Sequence, residues 1–368
     1  MAGLKKLNIT GKKVLSIDFG EKRIKYVVGT SKKNGSILVE KAGYIETPEE
    51  AIADGCIVNH QAVEDALGKG LEEIKPGTRN VVCTVETSRK VTRELMLPVV
   101  SEKELLKILE YDIVQSMPVD LKEYFVQSKI EEKVQDEGVE KYRFTISAIP
   151  RESVEGYFDL LTNLALKPKI MDLHSNALSK IFGQGRHIND SQIPGQETIA
   201  ILDFGYRSTN LVILKHGVFQ FNRLLSFGSS SIDDRLMEAM GVNYGEAINY
   251  KCSIENINAQ IDDQSLEIKS GSLEDVAIGT IQLTLDNWMA EINRIFRFFA
   301  TREEGNRISS IYLTGGLAEI PGIDLYFENS LGLPSFVIES LSDIEDKRAD
   351  SSPGLSSFVN ALGAMLRQ

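Results

Sequence analysis

At 368 residues the chain is too long for one simple core, and two lobes are the expected organisation. An apolar share of 42% and a charged share of 26% are those of an ordinary soluble globular protein. With 53 acidic against 41 basic residues the formal charge is −12, which argues against a nucleic-acid partner and against general attraction to anionic lipid. Cys56, Cys83 and Cys252 form no C-x-x-C pair, so neither a disulfide framework nor a zinc ribbon is expected, and a reducing cytosol fits. His60, His174, His187 and His216 lack metal-binding spacing and are expected in structural or surface roles. The first 13 residues lack the apolar run of a signal peptide, and no stretch reaches the ~18–20 apolar residues of a membrane span. A soluble chain with no direct membrane insertion is expected.

In chain order, Leu15-Ser16-Ile17-Asp18-Phe19-Gly20 ends one apolar run, which resumes at 24–28 after three charged residues and predicts a buried hairpin. A third strand is expected at 36–44, then a helix at 59–74 with Val63, Leu67 and Leu71 on one face, closed by Pro76-Gly77. Two strands follow within 80–97. Ser101 to Glu104 reads as a capping box opening a helix to about Ser116, stopped by Pro118. Residues 124–130 and 142–149 alternate like paired strands joined across Asp136-Glu137-Gly138, and a helix is expected at 152–166. Residues 183–197 read as the crossing between lobes.

About half a chain length after the first hairpin, Ile199-Ala200-Ile201-Leu202-Asp203-Phe204-Gly205 repeats its shape, with 211–214 as the returning strand. Helices are expected at 231–240 and 244–253, and a polar, flexible or edge segment at 255–274. A long helix at 276–301 turns Ile281, Leu285, Trp288, Ile292, Ile295 and Phe299 inward. A strand at 308–313 breaks at Thr314-Gly315-Gly316, Pro321 marks a helix start, and residues 358–367 form a closing helix.

An Asp followed two residues later by Gly, at a strand-turn-strand, has a specific use. The bare glycine lets backbone amides approach a phosphate, and the Asp orients water around a magnesium ion. Two such turns facing each other would clamp a triphosphate. Asp18, Gly20 and Lys25 form one jaw and Asp203, Gly205, Ser208 and Thr209 the other, with Asp18 and Asp203 reaching the metal through water. Gly315 and Gly316 would let a flat base or ribose lie on bare backbone, and Glu246 and Lys251 share a short helix from which both could reach a ligand. Taken singly, each feature also fits an ordinary hairpin, tight turn or solvated helix face.

In the order hairpin, hairpin, helix, Gly-Gly, these signals resemble the actin-like ATPase superfamily. Over nearly the whole chain the sequence resembles, more closely, the type IV pilus assembly protein PilM family. The passages are VLSIDFGEKRIKYV at 14–27, ELMLPVVSEKEL at 94–105 with Met117-Pro118, LKPKIMDLHSNAL at 166–178, residues 200–211, 246–251 and 313–323, and the last helix. The resemblance implies an α/β, actin-like two-lobed fold of duplicated ribonuclease-H-like domains with an FtsA-like inserted subdomain in the first lobe. The expected spans are 1–78 and 166–190 for the first lobe core and 79–165 for the insertion. For the second lobe they are 191–228 and 302–368 for the core and 229–301 for its helical subdomain. It further implies ATP and Mg2+ between the lobes, and recruitment of the cytoplasmic N-terminal tail of a PilN-like membrane protein beside the insertion, near 81–97 and 105–113. Contact with pilus motor ATPases and a place at the inner face of the cell membrane go with that reading. Glu21 and Lys22 stand where the family usually has Ser or Thr, so at these nucleotide-side positions a carboxylate would face phosphate, and turnover is expected to be slow or absent. An FtsA-like division filament and a sugar kinase are the rival readings. The C-terminal residues carry too few cations for an amphipathic anchor, and no carboxylate has a compelling claim as a sugar-activating base, although Asp172 is a candidate.

Overall fold

The computed structural model describes residues 9–183, 185–189, 191–192, 197–259, 272–303, 305–341, 343–349 and 353–366. The chain divides into two units, Met1–His174 with Asn360–Arg367, and Ser175–Val359 with Gln368.

The first unit opens with an antiparallel meander of β1 (Lys13–Phe19), β2 (Arg23–Ser31) and β3 (Ile37–Glu46). A short hairpin, β4 (Ile52–Ala53) with β5 (Cys56–Ile57), precedes α1 (His60–Ile74). The Asn59 side chain caps α1 by accepting the Ala62 amide at 3.1 Å, and Lys75 ends it in a left-handed conformation. Next, β6 (Asn80–Val85) lies parallel to β1, and β10 (Lys167–Leu173) parallel to β6. The strand order within this unit is β10-β6-β1-β2-β3. All of β1 after Lys13 is buried, which is why it reads as a continuous apolar run and not as an alternation.

Between β6 and β10 the chain leaves to build a block with its own core. β7 (Val91–Pro98), β8 (Tyr124–Asp136) and β9 (Val139–Pro150) form a sheet in the order β7-β9-β8, packed on α2 (Glu102–Ser116). Leu97, Leu109, Ile113, Met117, Phe144, Ile146 and Ala148 fill that core. Glu137 and Gly138, both at positive φ, make the two-residue turn between β8 and β9. Glu104 reaches back to the Ser101 amide (3.3 Å) and hydroxyl (2.6 Å) as the capping pattern required. The separately packed residues are 91–150, narrower than the expected 79–165. β6 sits inside the first unit's sheet, and α3 (Arg151–Asn163) buries Tyr157, Leu160 and Leu161 in that unit's core.

After α4 (His174–Ile181), the second unit carries β11 (His187–Ile188) and β12 (Ser191–Gln192). Its main sheet combines β13 (Thr198–Phe204), β14 (Thr209–Lys215) and β15 (Val218–Leu225) with β16 (Ser310–Gly315) and β17 (Ser335–Val337), in the order β15-β14-β13-β16-β17. The helices are α5 (Ser229–Met240), α6 (Tyr244–Ser253), α7 (Leu273–Arg302) and α8 (Ile323–Leu331). On α7, Ile281, Leu285, Trp288, Ile292 and Phe299 are buried as their spacing predicts, Ile295 is half-buried against the same core, and the Trp288 ring stacks on Phe227 at 4.6 Å. Most of the expected polar segment at 255–274, and part of the expected crossing at 183–197, lie outside the described residues.

The two sheets repeat one plan. In each, three antiparallel strands are followed by two added in parallel on the far side of the first strand. The last helix, Val359–Met365, departs from the expected assignment of 302–368 to the second lobe. From Asn360 on it belongs to the first unit, where the Ser16 hydroxyl donates to the Ala361 carbonyl at 2.6 Å. Residues 175–190, expected with the first lobe, fall in the second unit.

Candidate functional site

Both Asp-x-Gly turns have the same construction. Phe19 pairs with Ile24 and Phe204 with Thr209, leaving four-residue loops at 20–23 and 205–208. A Cβ on Gly20 would fall 2.7 Å from the Arg23 carbonyl oxygen, and one on Gly205 would fall 2.7 Å from the Ser208 carbonyl oxygen. The fold itself therefore demands these glycines. Each Asp also sits beside a Thr on the neighbouring parallel strand, Asp18 by Thr84 and Asp203 by Thr314.

In the first turn, Asp18 is buried at the end of β1. Its Oδ1 accepts from the Thr84 hydroxyl at 2.9 Å and lies 2.7 Å from His174 Nε2, while Oδ2 takes neither bond. Burial alone would push this carboxyl up. The charge and hydrogen bond of His174, then Lys25 and Thr84, outweigh it and hold Asp18 below the usual carboxylate range. Lys25 is half-buried and in register with Asp18, and Lys22 is exposed. The Glu21 carboxylate does not point away into solvent: its Oε1 accepts the Asp54 amide at 2.9 Å. Thr47 steadies the loop, donating its hydroxyl to the Gly20 carbonyl (2.7 Å) and its amide to the Lys22 carbonyl (3.1 Å).

Backbone bonds help to hold the second turn. The Ser229 and Ser230 amides at the start of α5 donate to the Gly205 and Tyr206 carbonyls at 3.1 and 2.8 Å, so these helix-end donors serve the turn and not an anion. Asp203 is buried and in register with Asn210, and Ser208 is half-buried. Thr209 is engaged within the fold. Its hydroxyl is fully buried and donates to the Phe227 carbonyl at 2.8 Å, which commits its one proton to the fold.

The helix pair is likewise partly committed. Glu246 closes a capping box at the start of α6, with Oε2 accepting the Asn243 amide at 3.0 Å. Lys251 pairs with the buried Asp233 of α5. The two do not pair with each other, and each has a structural partner. The paired glycines differ sharply. Gly315 has φ 88°, and a Cβ there would lie 2.3 Å from the Phe204 carbonyl oxygen. A Cβ on Gly316 would meet no atom within 4 Å, so nothing in the fold requires that glycine.

His174, set aside in the sequence with the structural histidines, is a direct partner of Asp18, and Thr84 and Asp54 were not singled out. The clue available was His174's place in the 166–178 passage, immediately after a buried strand. Asp172, the rival base, is buried, and its Oδ1 accepts the Leu173 amide at 2.9 Å. Among the described residues no group of three His, Cys, Asp or Glu side chains could hold a metal by itself, and no helix is long and apolar enough to cross a membrane.

A model of the family described as type IV pilus assembly protein PilM matches residues 16–368. Among solved structures, the chain is similar to the PilM-PilN type IV pilus biogenesis complex with a TM-score of 0.76 at 17% identity, covering 96% of this chain and 97% of that one. It is similar to the ethanolamine utilization protein EutJ from Carboxydothermus hydrogenoformans with a TM-score of 0.54 at 11% identity, covering 98% and 92%. For the MamK double helical filament the values are 0.53 and 11%, covering 96% and 97%. The fold is therefore the actin-like one that the repeated hairpins predict. With the family model matching nearly its whole length, the chain belongs to the type IV pilus assembly protein PilM family.

Proposed function

We propose that this protein is a nucleotide-binding scaffold of the type IV pilus inner-membrane assembly complex, recruited from the cytoplasm to the inner face of the membrane. The observation that carries the nucleotide reading is the repeated turn: same loop length, same 2.7 Å glycine approach, same Asp beside a Thr. The fit to Mg-ATP is chemically sound. Asp18 Oδ2 and the Asp203 carboxylate suit contact through metal-bound water, since Mg2+ keeps several waters and takes few protein ligands. Lys25 adds a cation, and the open position of Gly316 suits a base or ribose against backbone. When bound, Mg-ATP would supply the occupancy signal that distinguishes two shapes of a scaffold.

For a partner, the cytoplasmic tail of a PilN-like protein is the candidate, supported by the PilM-PilN complex among the similar structures. The net charge of −12 suits a basic tail. β6 has neighbours on both sides and offers no edge, whereas β7 and β8 each pair only with β9 among the described residues; of these two edges β7 falls within the expected groove at 81–97, so an added strand is assigned to β7.

Calorimetric titration with Mg-ATP tests the site. Gly316→Leu should fold normally yet lose affinity, and Asp203→Ala should weaken the magnesium-dependent part. Unchanged affinity in both would refute the placement. A synthetic tail peptide should bind the full chain, and a short linker in place of residues 91–150 should abolish that binding alone.

A further inference from the structure

The first phosphate turn is tied to the two strands of chain that enter and leave the inserted block. Residues 86–90 lead from β6 into β7, and Arg151 follows directly on β9 at the exit. Glu21 Oε1 holds the Asp54 amide at 2.9 Å, and Asp54 in turn accepts the Ser88 amide (2.6 Å) and hydroxyl (2.7 Å) through its two carboxylate oxygens. The next residue, Arg89, pairs with Glu152 at the start of α3 and also reaches Cys56 and Ser153, so one guanidinium clasps entry and exit together. The approach is close throughout: a Cβ on Gly55 would fall 2.1 Å from the Glu86 carbonyl oxygen. A second link runs through apolar contact. Phe19, between Asp18 and Gly20, packs on the fully buried Tyr157 of α3, ring centres 4.5 Å apart.

We infer that Glu21 is a positioning residue, coupling the first phosphate turn to the root of the inserted block, and not a direct phosphate contact. Two residues of the turn then lead toward the root: Phe19 through packing on Tyr157 of α3, and Glu21 through a hydrogen-bonded line to Asp54 and Ser88, which Arg89 follows in the chain. A shift of the turn as it closes on a phosphate group is carried along that line, because Asp54 and Ser88 are joined by two bonds and cannot move independently. The block's stance thereby follows nucleotide occupancy, and by linkage a partner docked on the block changes nucleotide affinity by the same factor. This coupling rests on the nucleotide reading proposed above. It also accounts for a Glu at a position where a hydroxyl donor to phosphate was expected: a carboxylate has the reach and the acceptor oxygen that the Asp54 amide requires.

Amide hydrogen exchange on the full chain decides the matter in two arms. Without nucleotide, Glu21→Ala should speed exchange at the Asp54 and Ser88 amides by about fivefold or more, whereas Glu21→Gln, whose amide oxygen still accepts, should keep both protected. Unchanged Ser88 exchange in Glu21→Ala would overturn the link. Should Glu21→Ala fail to fold, Ser88→Ala, which removes only the hydroxyl donating to Asp54, should speed exchange across residues 86–90, and no change there would overturn the link equally. With saturating Mg-ATP, the wild type and Glu21→Gln should slow exchange at residues 86–91 and 151–156, and Glu21→Ala should bind Mg-ATP without that slowing. Equal slowing in Glu21→Ala would overturn the coupling. Absence of Mg-ATP binding by the wild type would sink the nucleotide reading and the transmission with it, while the first arm still decides whether Glu21 holds the root.

Discussion

The two Asp-x-Gly turns occupy equivalent places in equivalent sheets, yet different parts of the molecule brace them. Around Asp18 the brace is made of side chains drawn from distant positions: Thr84, His174, Thr47, and the Glu21 to Asp54 contact. Around the Asp203 turn it includes backbone, the first amides of the adjoining helix holding the Gly205 and Tyr206 carbonyls, with the Thr209 hydroxyl beneath. A backbone brace survives most substitutions. A side-chain brace depends on particular residues and can carry information from wherever those residues reside. The first turn, with side-chain links to Asp54 and to Tyr157, is thus suited to coupling.

The largest break in this comparison should come from Tyr157, the fully buried ring under Phe19. Tyr157→Ala should cost about 3–5 kcal/mol in denaturant titration. Tyr157→Phe should cost far less, since the hydroxyl has no hydrogen-bond partner among the described residues. Next, His174→Ala should leave the buried Asp18 short of its strongest partner and cost roughly 1–3 kcal/mol, while Thr209→Val under the second turn should cost about 1 kcal/mol. A second-turn loss larger than the first would invert the proposed difference.

Cys83 sharpens the contrast from beside the first turn. Burial, with smaller contributions from Asp172 and Asp18, pushes its thiol up to about 12 from 9.0. Folding therefore favours the protonated form, so this contribution to stability is whole below pH 9 and is lost as pH rises from 9 toward 12. Thiol labelling should follow the order of exposure, Cys252 first, then Cys56, with Cys83 reacting only on unfolding. The smallest effect is expected at the exposed Lys22, where Lys22→Ala should change stability by no more than ~0.5 kcal/mol.

In the sequence β10, β15, β17 and the Asn59 cap were not read, whereas legible there were the two paired hairpins, the strands β3, β6 to β9 and β16, the cap at Ser101, the turn across Glu137-Gly138 and most of the buried stripe of α7. These rest on burial periodicity and local hydrogen bonding, which operate over a few residues and are therefore written in contiguous windows. It also carried the family, because the passages that bear the resemblance are themselves such windows. Tertiary structure alone decided that His174 meets Asp18, that Glu21 meets Asp54 and that Thr209 spends its proton on Phe227. It likewise placed β6 and α3 with the first unit and returned the last helix to Ser16 across almost the whole chain. Each of those outcomes pairs residues that share no local pattern. What selects them is which buried polar group finds its partner once the sheets have formed, and a buried group left unmatched costs more than a matched one contributes.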